Sequence, residues 1–319
     1  MAHAIRLYEH GEPSVLTWES VDVGEPGLGE VRLRQRAIGL NFVDTMFRDG
    51  TFPLDLPAVL GIEGSGTVEA VGAGTEFEIG DRVAYFYAPG SYATRRIVPV
   101  APLVRLPDDI SEDQAVTFLG KGLTAWMGLR LLHQLEAGQT ILVQGATGAT
   151  GTIVSLWAKA LGARVIGTTG SPEKLETLAA VTDHAILTGD ETFDVKLKAL
   201  APDGVDAVYE FVGKATIARS VGALRDGGRL LTIGAASGTA ELDEALIATR
   251  RISVAGGSTV RNVRGELIGQ AVGELFDAVR AGAFSRIQAT RYPLRAAAQA
   301  HEDVRARRLT GPSYFVASE

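Results

Sequence analysis

The sequence contains no cysteine. That absence removes disulfides, thiolate nucleophiles, iron–sulfur clusters and every zinc site built on cysteine. A zinc ion would need histidines and carboxylates, but the five histidines, His3, His10, His133, His184 and His301, are scattered, with no i, i+4 pair and no H-x-H. No metal site is expected. A basic surplus is missing too: 31 Lys and Arg stand against 38 Asp and Glu, a formal net charge of −7, with a pI near 5.4. The field of the whole molecule therefore repels phosphate backbones, and no aromatic-interleaved basic stripe offsets it, so no nucleic-acid partner is expected. No apolar run approaches the roughly 18 residues of a membrane span. In MAHAIRLYEHGEP, Arg6 and Glu9 interrupt what a signal peptide would keep apolar. The expectation is a cytoplasmic protein with no membrane partner.

What remains is ordinary globular composition, 46% hydrophobic and 22% charged, over 319 residues, enough for about two domains at roughly 150 residues each. The early segments GEVRLRQRAIGLN, GSGTVEAVG and GDRVAYFYAPGSYATRRIVPV read as short strands broken by glycine and proline, the pattern of a mostly antiparallel β domain. The texture changes at Ser111, an N-cap candidate before SEDQAVTFLGKGLTAWMGLRLLHQL, whose apolar residues fall at helical spacing. Six short apolar strands follow, at 140–144, 163–168, 184–188, 206–211, 229–233 and 252–256, most of them separated by helical pattern. This predicts an α/β fold containing a doubly wound parallel sheet of Rossmann type. An amphipathic helix ending at Gly282 comes next, and the closing strand, helix and strand find no place in a completed sheet. They are expected to return to the first domain and make it discontinuous, with a cleft between the two. The expected boundaries are 1–122 with 260–319 for the first domain and 123–259 for the second.

The most informative stretch is TILVQGATGATGTIVSLWAKALGARVIGTTGSPEK, a buried strand, a glycine-rich turn, an amphipathic helix and a second strand in succession. Gly145, Gly148 and Gly151 let the backbone double back and approach a pyrophosphate facing the helix N–H groups. Three-residue spacing differs from the commoner G-x-G-x-x-G, but Val154, Trp157, Ala158 and Leu161 supply the helical face the mechanism requires. An NAD site would carry a ribose-reading acid about 20 residues past the glycines. Here the second strand ends in Gly167, Thr168 and Thr169 without an acid, followed by Ser171, Pro172, Glu173 and Lys174, a helix start that offers N–H groups and an ammonium to an anion. The cofactor is expected to be NADPH, preferred at least tenfold over NADH, since a charge-assisted hydrogen bond contributes about 1.5–3 kcal/mol.

At this point the chain resembles the zinc-independent quinone oxidoreductases, the zeta-crystallin-like branch of the medium-chain dehydrogenase/reductase superfamily. The likeness is carried by AIGLNFVDTMFRDG (37–50), GIEGSGTVEAVG (61–72), FLGKGLTAW (118–126), QGATGATG (144–151), YEFVG (209–213) and YPLRAAAQAHE (292–302). Zinc-dependent members have a Cys at the position of Asn41 and a His at that of Ile62. The resemblance implies a GroES-like β-barrel catalytic domain beside the Rossmann domain, with the nicotinamide in the cleft. It implies that Asn41, Asp44, Lys121 and Thr124 line that cleft, and that the turn around Thr147, Gly148, Ala149 and Thr150 meets the pyrophosphate. Phe211, Val212, Gly213, Gly234 and Ala235 would flank the adenine and nicotinamide sides. Departures are Ala149 for a usual glycine, Met46 and Phe52 for frequent tyrosines, and Leu187 or Thr188 where a tyrosine often helps hold the 2′-phosphate.

Asn41, Asp44 and Lys121 are thus the catalytic candidates, Asn41 also touching cofactor, while Thr168, Thr169, Ser171 and Lys174 complete the cofactor set. Each has a plainer reading: Asn41 as a buried turn amide, Asp44 and Lys121 as a structural ion pair, Lys174 as a solvated helix lysine. Glu63 reads as structural. Tyr85, Tyr87 and Tyr92 are either a pocket wall or core. The expected function is zinc-independent transfer of hydride, or electrons stepwise, from NADPH to a quinone. Alternatives are an enone, enoyl or alkenal reductase and an NADPH-binding redox sensor without turnover. A homodimer is expected, with the sixth strand as an exposed edge.

Overall fold

The computed structural model describes residues 1–317, and the chain divides into two compact units. The second unit, residues 121–288, is built on a six-stranded parallel sheet. Its spatial order is His184–Leu187, Arg164–Thr169, Thr140–Gln144, Val205–Glu210, Leu224–Thr232 and Ser253–Gly256. The first strand in sequence is therefore central, with Val143 opposite Gly167 on one side and Tyr209 on the other. Chain order reverses there, the switch point of a doubly wound sheet. Helices on both faces explain why the strands read as near-continuous apolar runs. Leu142, Ile166, Val208 and Leu230 are fully buried and pack with Phe193 and Val205, each contributing about 1.5–3 kcal/mol of burial.

The first unit comprises residues 1–120 and the chain from Ala289 onward. Its larger sheet has seven strands, mostly antiparallel, centred on the long strand Glu30–Leu40 between Glu63–Val71 and the closing strand Ser313–Val316. A smaller sheet pairs Ala2–Leu7 with Leu16–Val21 and Ala58–Val59. Ile5, Leu7, Ile38, Tyr92 and Phe315 form one core and Val31, Leu33, Val83 and Tyr85 another. Ser111 does cap its helix: its hydroxyl accepts from Gln114 N at 3.1 Å, and Gln114 Oε1 accepts from Ser111 N at 3.0 Å. The helix Glu112–Trp126 runs on through a π-helical stretch, Met127–Leu132.

One expected boundary moves. Residues 260–288, assigned from sequence to the first domain, lie in the second unit. The reason is packing of the helix Glu266–Arg280 and the segment after it. Leu275 lies so close over Gly122 that a Cβ there would be 2.5 Å from its Cδ1, Arg130 Nε bonds Glu274 Oε2 at 3.0 Å, and Phe284 meets Trp157 edge-on at 5.9 Å. The helix ends as expected, with Gly282 at φ +75°.

Candidate functional site

The glycine turn is shaped by three different demands. Gly145 has φ +74°, which a side chain disfavours. Gly148 is exposed, N-caps the helix Ala149–Ala160 and donates to Gly145 O at 3.0 Å. Gly151 lies where a Cβ would sit 2.4 Å from Gly145 O. The first backbone N–H to reach back in the helix is Thr152, to Gly148 O at 2.9 Å. The N–H groups of Ala149, Thr150 and Gly151 therefore have no intrahelical acceptor and point out of the helix start, where the dipole favours an anion. A cradle that only glycine permits, beneath three N–H donors, suits a pyrophosphate.

At the neighbouring strand end, Thr169 Oγ1 lies 3.2 Å from Thr147 Oγ1 and accepts from Ser171 N at 3.3 Å. Ser171 bonds Glu173 through its hydroxyl and does not cap the turn Pro172–Lys174, which is 3-10 and leads into the helix Leu175–Val181. This bond, with the backbone N–H and Lys174 beside it, lowers the Glu173 pKa. Thr168 departs from expectation. Its hydroxyl turns into the interior, donating to Gln144 Oε1 at 2.6 Å and accepting from Gly145 N at 3.3 Å. Thr168 thus bears on the glycine turn through Gly145 and is fully buried.

Gln144 leads to a group the sequence reading passed over. Its Nε2 donates to Ser220 Oγ at 3.1 Å, and Ser220 donates to the carboxylate of Glu210, itself fully buried. That carboxylate also accepts from Val212 N at 2.8 Å, Gly213 N at 2.9 Å and Thr216 Oγ1 at 2.9 Å. The turn Phe211–Val212–Gly213 is locked to the next one: Ser237 N donates to Val212 O at 2.7 Å, and a Cβ on Gly234 would lie 2.7 Å from Phe211 O. Gly213, at φ +89°, faces Gly238 O, and Ala235 is exposed beside it. Asn41 and Thr124 apart, the expected cofactor residues lie at or follow the carboxyl ends of neighbouring strands of one sheet. A carboxylate ending an apolar strand, followed by Gly213, Thr216 and Ser220, was the signal available for Glu210.

In the first unit, Asn41 opens the helix Phe42–Arg48. Its backbone N–H donates to Asp44 Oδ2 at 2.9 Å, and its Nδ2 to Glu63 Oε2 at 3.0 Å. Glu63 is fully buried and takes Gly120 N on its other oxygen at 2.7 Å, so its structural part is to orient Asn41. Asp44 Oδ2 also accepts from Tyr92 OH at 2.9 Å; His301 Nε2 lies 3.0 Å from that hydroxyl, and Arg48 donates to His301 Nδ1 at 3.3 Å. The directions close only if His301 is neutral with its proton on Nε2, giving a donor chain from Arg48 through His301 and Tyr92 to Asp44. Tyr92 and Tyr85 are fully buried and so belong to the core; burial and the adjacent Asp44 carboxylate hold the Tyr92 pKa well above 10. Tyr87 alone of the three is exposed. Lys121, buried, and Thr124, half-buried, lie on the helix Glu112–Trp126, and Thr124 Oγ1 is 2.8 Å from Thr259 Oγ1.

Burial, with the Arg48 guanidinium adjacent, pushes the His301 imidazole from 6.5 down to about 3. Unfolded, it protonates near its ordinary value, so between pH 6.5 and 3 the unfolded chain binds more protons. Stability then falls as the pH drops through that window, by up to about 1.4 kcal/mol per pH unit. His301→Gln, which keeps a donor and an acceptor, is expected to flatten the slope of urea-derived stability between pH 6.5 and 4.5 by about 1 kcal/mol per unit. An unchanged slope would mean that the imidazole is already charged in the native protein.

Residues 27–108 match the alcohol dehydrogenase GroES-like domain and residues 149–274 the zinc-binding dehydrogenase domain. The chain is 37% identical over 333 aligned residues to a quinone oxidoreductase of Pseudomonas aeruginosa, covering 99% of this chain and all of that one. The chain belongs to the quinone oxidoreductase family. Its sequence holds no cysteine and so cannot supply a cysteine ligand to zinc. The crystal structure of the Escherichia coli quinone oxidoreductase complexed with NADPH superposes with a TM-score of 0.93 at 31% identity, over 99% of this chain and all of that one. A 2-haloacrylate reductase of Burkholderia is 36% identical over 98% of both chains.

Proposed function

We propose that the protein is an NADPH-dependent quinone oxidoreductase that reduces a quinone without zinc. The observation carrying the reading is the glycine cradle under the N–H groups of Ala149, Thr150 and Gly151, in a chain similar end to end to quinone oxidoreductases. NADPH, when bound, supplies a hydride, or its electrons stepwise. The chain's own part is to hold and orient. Thr147, Gly148, Ala149 and Thr150 bind the pyrophosphate; Thr169, Ser171 and Lys174 take the 2′-phosphate end. Phe211, Val212, Gly213, Gly234 and Ala235 flank the two bases, and Thr124 contributes a hydroxyl. Asn41, fixed by Glu63 and Asp44, hydrogen-bonds the nicotinamide ribose or the substrate oxygen, with Asp44 and Lys121 as charged positioning groups. A quinone needs no metal to polarise it, because the negative charge that develops is delocalised over a conjugated oxygen.

Initial rates with a monocyclic quinone test this. kcat/KM is expected to be at least tenfold higher with NADPH than with NADH, and Lys174→Ala should weaken NADPH while leaving NADH nearly unchanged. Equal values for the two cofactors would remove the NADPH assignment. The 2-haloacrylate reductase relative supports a second reading, an enone, enoyl or alkenal reductase. Turnover of an alkenal or haloacrylate in preference to quinones would favour it.

Among the described residues no helix is long and apolar enough to cross a membrane. A cytoplasmic location and a homodimer belong to the proposal. Among the described residues the strand Ser253–Gly256 pairs only on one side and leaves Val254 42% exposed, an edge a two-fold partner would cover. Light scattering should give twice the 33.6 kDa chain mass; a monomer would overturn this part.

A further inference from the structure

Lys174 is the cation that sequence reasoning offers to the 2′-phosphate, but the folded second unit brings a second one to the same edge. Thr188 follows the strand His184–Leu187, and its N–H donates to Thr169 O at 2.7 Å. Thr169 ends the neighbouring strand, at the point where NAD-selective proteins hold a ribose-reading acid. The carbonyl of this same Thr188 accepts a hydrogen bond from the Arg219 guanidinium, which comes from the helix Ile217–Ala223, 31 residues further along the chain. Arg219 also lies over the Phe193 ring, 5.0 Å from guanidinium carbon to centroid. The half-buried side chain is thus held by a ring face and one carbonyl. A guanidinium carries five N–H donors in a rigid fork, and among the described residues one carbonyl is the hydrogen-bond partner it has.

We propose that Arg219 is a cofactor-specificity residue whose guanidinium binds the 2′-phosphate of NADPH together with Thr169, Ser171 and Lys174. This rests on the NADPH reading above. Three observations support it. Arg219 is tied through Thr188 to Thr169, and Thr169 is tied to Ser171, so one series of hydrogen bonds links the helix residue to the turn. Two acids of the adjoining segments are already engaged, Glu173 by Ser171 and Asp190 by Lys196 and Thr192. A planar cation stacked on an aromatic ring is pre-organised, so less freedom is lost when a phosphate arrives. A plain structural role would require only the contact with Thr188 and Phe193, and it would give no reason for the nucleotide's 2′ substituent to matter.

The test is binding, not turnover. Dissociation constants for NADPH, NADH, 2′,5′-ADP and 5′-AMP are measured by calorimetry on the full chain, for wild type, Arg219→Gln and Arg219→Lys, with melting temperatures as a check on folding. Arg219→Gln is expected to weaken NADPH and 2′,5′-ADP at least tenfold while leaving NADH and 5′-AMP within about twofold. Arg219→Lys, which keeps the charge and loses the fork, should lose less. A wild type that prefers NADPH with an Arg219→Gln variant that keeps the preference overturns this inference alone, as would equal weakening of all four ligands. A wild type binding 2′,5′-ADP no better than 5′-AMP overturns the NADPH reading as well.

Discussion

Gly151→Ala is expected to raise the dissociation constant for NADPH at least tenfold and to lower the melting temperature, although it adds one methyl group. The added Cβ would meet Gly145 O at 2.4 Å and Ala146 Cα at 2.9 Å. Both are backbone, so no flexible side chain can yield. Relief must come from opening the turn, a strain of about 1–3 kcal/mol, and opening moves the N–H groups of Ala149 and Thr150 away from the anion they would bind. Tenfold in affinity corresponds to about 1.4 kcal/mol, well within that strain. Gly148→Ala is the control. Its φ is −75°, and the nearest atom to a new Cβ is Gly145 O at 3.3 Å, so stability should change by less than about 1 kcal/mol. Fluorescence titration with NADPH and thermal melts read both effects. If Gly151→Ala bound NADPH as tightly as wild type, the turn would not be the place where the pyrophosphate lies.

Glu210→Gln should cost about 2–4 kcal/mol of stability, or roughly 3–6 °C in melting temperature at this chain length, and should weaken NADPH as well. The carboxylate accepts from two backbone N–H groups and the hydroxyls of Thr216 and Ser220. A carboxamide keeps one oxygen and turns an NH2 toward groups that are already donating. Ser220 would have to reverse its proton while still accepting from Gln144 Nε2. The substitution therefore leaves a buried donor without an acceptor and loosens both ends of the relay. One end is the turn at Val212 and Gly213; the other reaches Gly145 through Thr168. Calorimetric melting checks the stability change, and a melting temperature within 2 °C of wild type would show that the relay is dispensable.

The same residues show how far the sequence could be read. Six apolar strands alternating with helical pattern announced the parallel sheet because burial on both faces leaves an unambiguous run of apolar residues. The glycine triplet announced the tight turn because positive φ and close backbone approach both demand glycine. Periodicity could not say where residues 260–288 belong, since an amphipathic helix reports that one face is covered and not which neighbour covers it. The direction of Thr168 was equally hidden, because a hydroxyl satisfied by Gln144 and one facing a ligand look alike in a strand. Tyr85 and Tyr92 were open between wall and core for the same reason and proved to be core.

By itself, then, the amino-acid sequence determined the fold class, the glycine-rich turn between strand and helix and the absence of any cysteine-based metal chemistry, because these depend on local conformation and composition. Only the tertiary structure decided which distant side chains meet: Glu210 with Gln144 through Ser220, Asn41 with Glu63, Asp44 with His301 through Tyr92, and Arg219 with Thr188. Such meetings depend on strand order and register, which bring together residues far apart along the chain and which no local pattern encodes.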